Sequence, residues 1–499
     1  MTLVLDNTPV LIVGTGIMGS GIAQVAAQSG HPVMLFDAAE GAAATARANL
    51  ATTLARLVAK GKFSADETEQ TLARIEAVDS IDVAASAGLV VEAIVEDVDA
   101  KRGLFQQLEA IVGEDCVLAS NTSSLSITAI ANGLRHPERL VGMHFFNPVP
   151  IMKLVEVVSG LQTSHHVAES IYQLAENWGK VPVHARSSPG FIVNRIARPF
   201  YAETLALLQE QAATPATLDA CLRGAGFRMG PCELMDLIGH DTNLAVTRSV
   251  YEANFFDKRY MPSLLQQSLV DAGLLGRKSA RGFYDYIDPA AVTASSYATP
   301  QYLPTHDELS VHGKDDVAAG IARSLDERDC RYRHIGDSDW SGLQVDDAQL
   351  RLTDGRPATQ LGSKVAVFDL PLARHEGSLL AWSPANGADA QWIADADDWL
   401  AVFGFQAQRI ADAPGLVVAR TVAMLINEAA DAVQQGVCSE ADADTAMKLG
   451  VNYPAGPFEW LQGWSSSAVI ALLDSLDDYY RGERYRVSPW LRQRAWSQA

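Results

Sequence analysis

Cysteine is scarce and scattered in this chain: five residues, at 116, 221, 232, 330 and 438, with no C-x-x-C spacing. That excludes a disulfide framework and a metal knuckle, and it predicts a reducing compartment. No apolar run approaches the roughly 20 residues of a membrane span. The opening residues also lack a basic stretch leading into an apolar one, so a cytoplasmic chain without a membrane partner is expected. Positive charge is in deficit, with 39 Lys and Arg against 60 Asp and Glu and a net charge of −21. Such a surface argues against nucleic acid or an anionic membrane as partner. An anionic small molecule remains open, provided helix N-termini or local cations receive it. No cluster with metal-ligand spacing is present, and no metal is expected.

What is present is ordinary globular material, 48 % hydrophobic and 20 % charged over 499 residues. That length suggests roughly three domains. Near the N-terminus Val10-Leu11-Ile12-Val13 reads as a strand buried in a parallel sheet. It leads into Gly14-Thr15-Gly16-Ile17-Met18-Gly19, a helix over Ser20–Ser29, and a second strand, Val33–Phe36, ending at Asp37. Strand, G-x-G-x-x-G, helix, strand and acid make a complete dinucleotide cradle. Gly14 permits the tight turn, Gly16 lets the backbone approach a pyrophosphate, and Gly19 lets the helix pack close. Ile17 and Met18 complete the cofactor loop. Asp37 accepts from ribose hydroxyls and repels a 2′-phosphate, which favours NAD over NADP. Further strands fit at Leu89–Ile94 and Cys116–Ser120, and a long helix over Ala42–Lys60. Arg47, Arg56, Lys60 and Lys62 read either as solubilising charge or as a cation patch for a phosphorylated substrate handle.

Farther along, His144-Phe145-Phe146-Asn147-Pro148 is followed by Glu156. The two polar groups fall on short strand-like runs, Leu140–Phe146 and Leu154–Val158, joined by the turn Asn147-Pro148-Val149-Pro150. A histidine beside a carboxylate makes a general base, because the carboxylate fixes the tautomer and stabilises the imidazolium. A His at a strand end that only hydrogen-bonds is the plainer reading. The Ser/Thr run Ser120-Asn121-Thr122-Ser123-Ser124 ends a strand where doubly wound sheets place ligands, and it reads equally as a helix N-cap. Glu96 and Lys101 alone read as a solvated pair at a helix start.

The ordered set G-x-G-x-M-G, S-N-T-S-S, H-F-F-N-P-V-P, L-V-E-V and P-G-F-I-V-N-R, over about residues 8–286, resembles the L-3-hydroxyacyl-CoA dehydrogenase family. The resemblance implies that His144 is the catalytic base for the 3-hydroxyl proton and that Glu156 orients it. It implies that Ser123 contacts the substrate's 3-oxygen close to the nicotinamide, and that Asn147 and Asn194 hold substrate and nicotinamide. It places Glu96 and Lys101 at the nicotinamide ribose and Lys278 near the cofactor. The region of Lys60 and Lys62 falls where the family contacts the CoA nucleotide, although the local residues do not match one for one.

Pro189-Gly190-Phe191-Ile192-Val193-Asn194-Arg195 recurs as Pro414-Gly415-Leu416-Val417-Val418-Ala419-Arg420. From each Pro a Glu follows fourteen positions on (Glu203, Glu428) and an Asp thirty on (Asp219, Asp444), before Gly230-Pro231 and Gly456-Pro457. This is an internal duplication of a helical domain, and the second copy has Ala419 in place of Asn194. The expected organisation is a doubly wound α/β nucleotide-binding domain at 1–186, helical copy one at 187–286, a linker at 287–338, a reduced Rossmann-like α/β domain at 339–410 and helical copy two at 411–499. Strands are expected in the reduced domain at Lys364–Leu370 and Trp399–Phe403, with His334 and His375 as surface residues.

The resemblance implies NAD-dependent oxidation of an (S)-3-hydroxyacyl-CoA, with one active site per chain, in phenylacetate or other aromatic, or fatty acid, degradation. The long two-copy form looks like enzymes acting on 3-hydroxyadipyl-CoA or 3-hydroxybutyryl-CoA. The alternatives are a gulonate-type sugar-acid dehydrogenase and a non-catalytic NAD-binding or structural protein. A homo-oligomer is expected, or a pseudo-dimer in which copy two takes the place of a partner subunit.

Overall fold

Val10–Val13 (β1) is buried at all four positions, as a strand with no polar side chain must be. Each such side chain removed from water contributes about 1.5–3 kcal/mol, so this strand anchors what is built around it. The computed structural model describes residues 5–287, 303–372 and 377–498. The chain forms two compact units, Met1–Arg195 with Ala432–Val451 and Ile196–Asp431 with Asn452–Ala499.

In the first unit β1 is joined by Val33–Phe36 (β2), Ile75–Ala77 (β3), Leu89–Glu92 (β4), Val117–Ser120 (β5), Leu140–Phe145 (β6), Leu154–Ser159 (β7) and Val181–Arg186 (β8). Their order in the sheet is β3-β2-β1-β4-β5-β6-β7-β8. The first six strands run parallel, β7 is antiparallel to β6, and β8 is parallel to β7. The strand order reverses between β1 and β4, which opens a crevice at the carboxyl ends of the strands. Helix Ile17–Gln28 buries Ile22, Ala23, Val25, Ala26 and Ala27 against this sheet. The core beneath joins Ile12, Leu35, Val91, Ala119, Val141 and Val155.

The second unit holds its own seven-stranded sheet: Leu309–His312 (β9), Arg333–Ile335 (β10), Gly342–Val345 (β11), Ala348–Leu352 (β12), Val365–Phe368 (β13), Ser378–Pro384 (β14) and Phe405–Arg409 (β15), in the order β10-β9-β11-β12-β13-β14-β15. Two expectations are corrected here. The stretch 287–338 is no linker: its described part from Leu309 supplies β9, helix Asp316–Asp326 and β10, and the helix buries Ala318, Ile321 and Leu325 in the core. Trp399–Phe403 is no strand, because Trp392, Ala396, Trp399 and Leu400 recur at helical spacing and face the core from helix Ala390–Val402. Residues 288–302 and His375 lie outside the described residues. His334 is exposed on edge strand β10 and bonds the Gly313 carbonyl at 2.8 Å.

Strands β12 to β15 repeat the succession of β5 to β8: parallel, antiparallel, parallel. The helical copies repeat as well. Helices Pro231–Ile238 and Pro457–Trp464 each start with Pro after an extended Gly. In both P-G turns the third residue is left-handed, Phe191 at φ 47° and Leu416 at φ 50°. Within the second unit the copies exchange partners reciprocally. Glu203 of copy one accepts from Arg420 Nε (2.6 Å), Arg484 Nη2 (2.9 Å) and Tyr485 Oη (3.0 Å) of copy two. Glu428 of copy two accepts from Arg259 Nη1 (3.2 Å) and Tyr260 Oη (2.5 Å) of copy one. Burial pushes Glu203 up, but Arg484 and Arg420 outweigh it and hold the carboxyl below its usual range.

Candidate active site

At the crevice, Gly14 has φ +99°, and a Cβ there would lie 2.5 Å from the Ala93 carbonyl oxygen. A Cβ on Gly19 would fall 1.8 Å from the Gly14 oxygen, so only glycine lets the helix start this close to β1. A Cβ on Gly16 would meet nothing within 4 Å, which leaves its backbone open to an approaching group. No side chain caps helix Ile17–Gln28, so its first N–H groups remain for an anion. Ile17 is exposed at the loop tip and Met18 packs against the core. Asp37, at the end of β2, accepts from Thr15 N and Oγ1, both at 2.8 Å, and from Ala39 N at 3.0 Å. Partial burial raises its carboxyl, but these donors more than offset that and keep it below the usual range. The residues therefore fit a dinucleotide with free ribose hydroxyls.

His144 lies on β6 directly opposite Glu156 on β7. Both are buried, and Nδ1 stands 2.5 Å from Glu156 Oε2. The other carboxylate oxygen accepts from the Ile192 and Val193 N–H groups at 2.9 and 3.0 Å. These are the helix-starting amides of the P-G-F-I-V-N-R turn, so the turn grips Glu156 and Glu156 grips the imidazole. With Nδ1 donating to the carboxylate, Nε2 carries the lone pair. Phe146 and Phe191 flank the ring, with centroids at 4.5 and 5.8 Å. A histidine held in this way can take a proton at Nε2 and spread the resulting charge onto Glu156.

The loop after β5 is organised by Glu96. Its Oε1 accepts from Thr122 Oγ1 (2.6 Å), Ser123 N (2.9 Å) and Ser124 N (3.1 Å), with Ser123 Oγ at 3.4 Å. Burial works upward on the Glu96 carboxyl, but the Thr122 hydroxyl, the Lys101 cation and the serine donors hold it below its ordinary value. Ser123 is not a helix cap; that role falls to Ser126, which accepts from Ala129 N. Asn194 donates to the Ser123 carbonyl at 3.4 Å, so turn and loop meet. Asn147 leaves β6 with its side chain exposed.

The solvated-pair reading of Glu96 and Lys101 is overturned. Lys101 is 1 % exposed and bridges Glu96 (3.2 Å) to Glu92 (2.5 Å). Glu92 was missed in the sequence, although a single acid ending an apolar strand was its signal; it also accepts from Ser120 Oγ at 2.6 Å. Asn121 was missed too, and its Oδ1 receives the Phe145 N–H at 2.9 Å, tying the Ser/Thr loop to the strand that bears His144. Arg47 is committed to the Ile75 and Leu72 carbonyls. Lys60 and Lys62 are exposed. In the second unit, half-exposed Lys278 pairs with Asp241.

The reduced sheet carries the same frame without the chemistry. Counting back from the Pro of each turn, Asp369 stands where His144 does and Ala381 where Glu156 does. Asp369 is fully buried, and its carboxylate accepts from Val417 N (2.9 Å), Val418 N (2.7 Å), Ala419 N (2.8 Å) and Leu370 N (2.9 Å). The clamp on the turn has moved to the neighbouring strand, and among the described residues no imidazole bonds to it. The loop after β9 offers acid where a phosphate would need N–H groups, since Asp315 caps helix Asp316–Asp326. Among the described residues no group of His, Cys, Asp or Glu could hold a metal, and no helix is long and apolar enough to cross a membrane.

Crevice, glycine cradle and ribose acid define a nicotinamide-dependent dehydrogenase. Residues 9–188 match the NAD binding domain of 3-hydroxyacyl-CoA dehydrogenase, residues 190–286 and 415–498 match its C-terminal domain, and residues 350–414 match the 3-hydroxybutyryl-CoA dehydrogenase reduced Rossmann-fold domain. The chain is 42 % identical over 495 residues to the 3-hydroxyadipyl-CoA dehydrogenase of Escherichia coli K12, covering 99 % of this chain and 98 % of that one. A probable 3-hydroxybutyryl-CoA dehydrogenase of Deinococcus radiodurans is 43 % identical over 55 % of this chain and 99 % of its own length. A crystal structure of a 3-hydroxybutyryl-CoA dehydrogenase from E. coli K12 superposes with a TM-score of 0.89 at 42 % identity, covering 99 % of each chain. The chain belongs to the 3-hydroxyacyl-CoA dehydrogenase family, in its long form with a duplicated helical domain, and is an NAD-dependent oxidoreductase.

Proposed function

We propose that the protein oxidises an (S)-3-hydroxyacyl-CoA to the 3-ketoacyl-CoA, with His144 as the base. The observation that carries this is the buried His144–Glu156 pair, whose carboxylate is itself held by two backbone N–H groups. His144 Nε2 takes the hydroxyl proton, and Glu156 stabilises the imidazolium. Bound NAD supplies the hydride acceptor. Gly14, Gly16, Ile17, Met18 and Gly19 hold its pyrophosphate end and Asp37 its ribose. Glu96 and Lys101 fix the loop that presents Ser123 to the 3-oxygen, while Asn147 and Asn194 orient substrate and nicotinamide. Lys60 and Lys62 serve the CoA phosphates. The similarity to the 3-hydroxyadipyl-CoA enzyme favours that substrate in phenylacetate breakdown, with 3-hydroxybutyryl-CoA second.

The deciding experiment is NADH consumption against a panel of 3-ketoacyl-CoAs from short to long chains, the adipyl form included. We expect turnover on the panel with the adipyl form foremost. Turnover of gulonate with none of acetoacetyl-CoA would overturn the assignment.

We also propose that copy two stands where a second subunit would, because the Glu203 and Glu428 pairings have the reciprocity of an isologous interface. Sedimentation of Glu203→Ala should show a destabilised chain of unchanged mass. A drop in mass on that substitution would mean that the face joins separate chains.

A further inference from the structure

Ala432–Val451, from the second helical copy, packs as part of the unit that carries His144. Helix Glu440–Gly450 lies against β7 and β8. Its last residue must be small, since a Cβ on Gly450 would come within 2.8 Å of Leu154 and 2.9 Å of Val193. The chain just before that helix is fixed as well, with the Val437 carbonyl accepting from Arg186 N at 2.8 Å. At the head of this segment Gln435 Oε1 accepts from Arg195 Nη1 at 2.8 Å.

Arg195 closes the turn that grips Glu156. It is 2 % exposed, its N–H donates to Gly190 O at 3.1 Å, and its guanidinium also reaches Ser188 Oγ at 3.5 Å. Between those anchors the backbone passes through the left-handed Phe191, a conformation that persists for a bulky residue only where its surroundings over-determine it. The next two amides are the Glu156 donors, and Asn194 follows them. The other half of the chain makes the same contact with different chemistry: Arg420 stands at the place of Arg195 and Glu210 at the place of Gln435, with guanidinium and carboxylate 3.4 Å apart.

We infer that Gln435 of the second helical copy is a positioning residue for the catalytic pair, acting through Arg195 and the Pro189–Arg195 turn on the amides that orient Glu156. The inference rests on His144 being the base. Misplacing a reacting group by a fraction of an ångström is enough to cost turnover. Gln435→Met keeps the shape of the side chain and removes the acceptor. In the full-length holoenzyme it should lower kcat about 10-fold, with the KM for NAD and the melting temperature unchanged. Reduction with NADH deuterated at the transferred position should then show a larger isotope effect, because chemistry becomes more rate-limiting. Gln435→Glu, which restores an acceptor, should recover most of kcat and displace the pH profile through its added charge. Wild-type kcat and isotope effect in Gln435→Met would overturn the inference, as would a loss of kcat matched by a fall in melting temperature. His144→Gln, assayed in parallel, separates the failures: if it is inactive while Gln435→Met is normal, only the positioning role falls.

Discussion

Replacing His144 with Gln is expected to reduce turnover by about 10²–10⁴-fold while leaving NAD binding intact, the range that a positioned general base typically contributes. The side chain of Gln can still hydrogen-bond to Glu156 Oε2, but it has no nitrogen able to accept the hydroxyl proton. The buried carboxylate would then keep its two backbone donors from Ile192 and Val193 and lose the imidazolium it stabilises. The nucleotide cradle is untouched, because Gly14, Gly16 and Gly19 belong to the β1 loop and depend on Ala93 and on one another. Steady-state rates with a fluorescence titration of NADH check both halves of the claim. Near-normal turnover would mean that the proton leaves by another route and that the mechanism given above is wrong.

The second large effect lies in the half without a base. Asp369→Ala strips the acceptor from four buried N–H groups at once, on Leu370, Val417, Val418 and Ala419. An unsatisfied buried donor costs about 1–3 kcal/mol, and even with relaxation the total should reach on the order of 4 kcal/mol. Against a typical margin of about 5–15 kcal/mol this is severe. Denaturant unfolding should show it directly, while the protein that remains folded keeps its kcat. A loss below about 1 kcal/mol would show that the clamp does little for the fold. Acid adds a sign to the test. Burial pushes Asp369 up to about 6, against the four donors, from an ordinary 3.8. The folded state therefore binds the proton more tightly than the unfolded chain. The stability contributed by that proton is full below about 3.8 and is lost as the pH rises through about 6. Asp369→Ala should lack that slope.

Much of this was legible in the sequence because burial leaves a plain mark. The strands Val10–Val13 and Val33–Phe36 were readable to the residue, and the His144–Glu156 pairing followed from two apolar runs joined by a proline turn. Glu92 escaped notice because a lone acid at a strand end carries no periodicity, and its meaning lies in Lys101 and Ser120 beside it. The start of the reduced domain was mistaken for linker because β9 and β10 are short and are bounded by polar residues. Trp399 looked like part of a strand because its helical partners Trp392 and Ala396 are separated by acids. The contact between Arg195 and Gln435 joins positions 240 residues apart, beyond any local pattern.

The displaced carboxylate in the reduced half has a consequence for anyone surveying genomes for enzymes of this kind. The P-G turn is needed for the helix that follows it whether or not a reaction takes place nearby, and a carboxylate on either of two neighbouring strands satisfies it. The turn by itself therefore marks a copy of the helical domain and says nothing of a histidine beside it. The diagnostic is one strand away, where this chain has His144 in one half and Asp369 in the other.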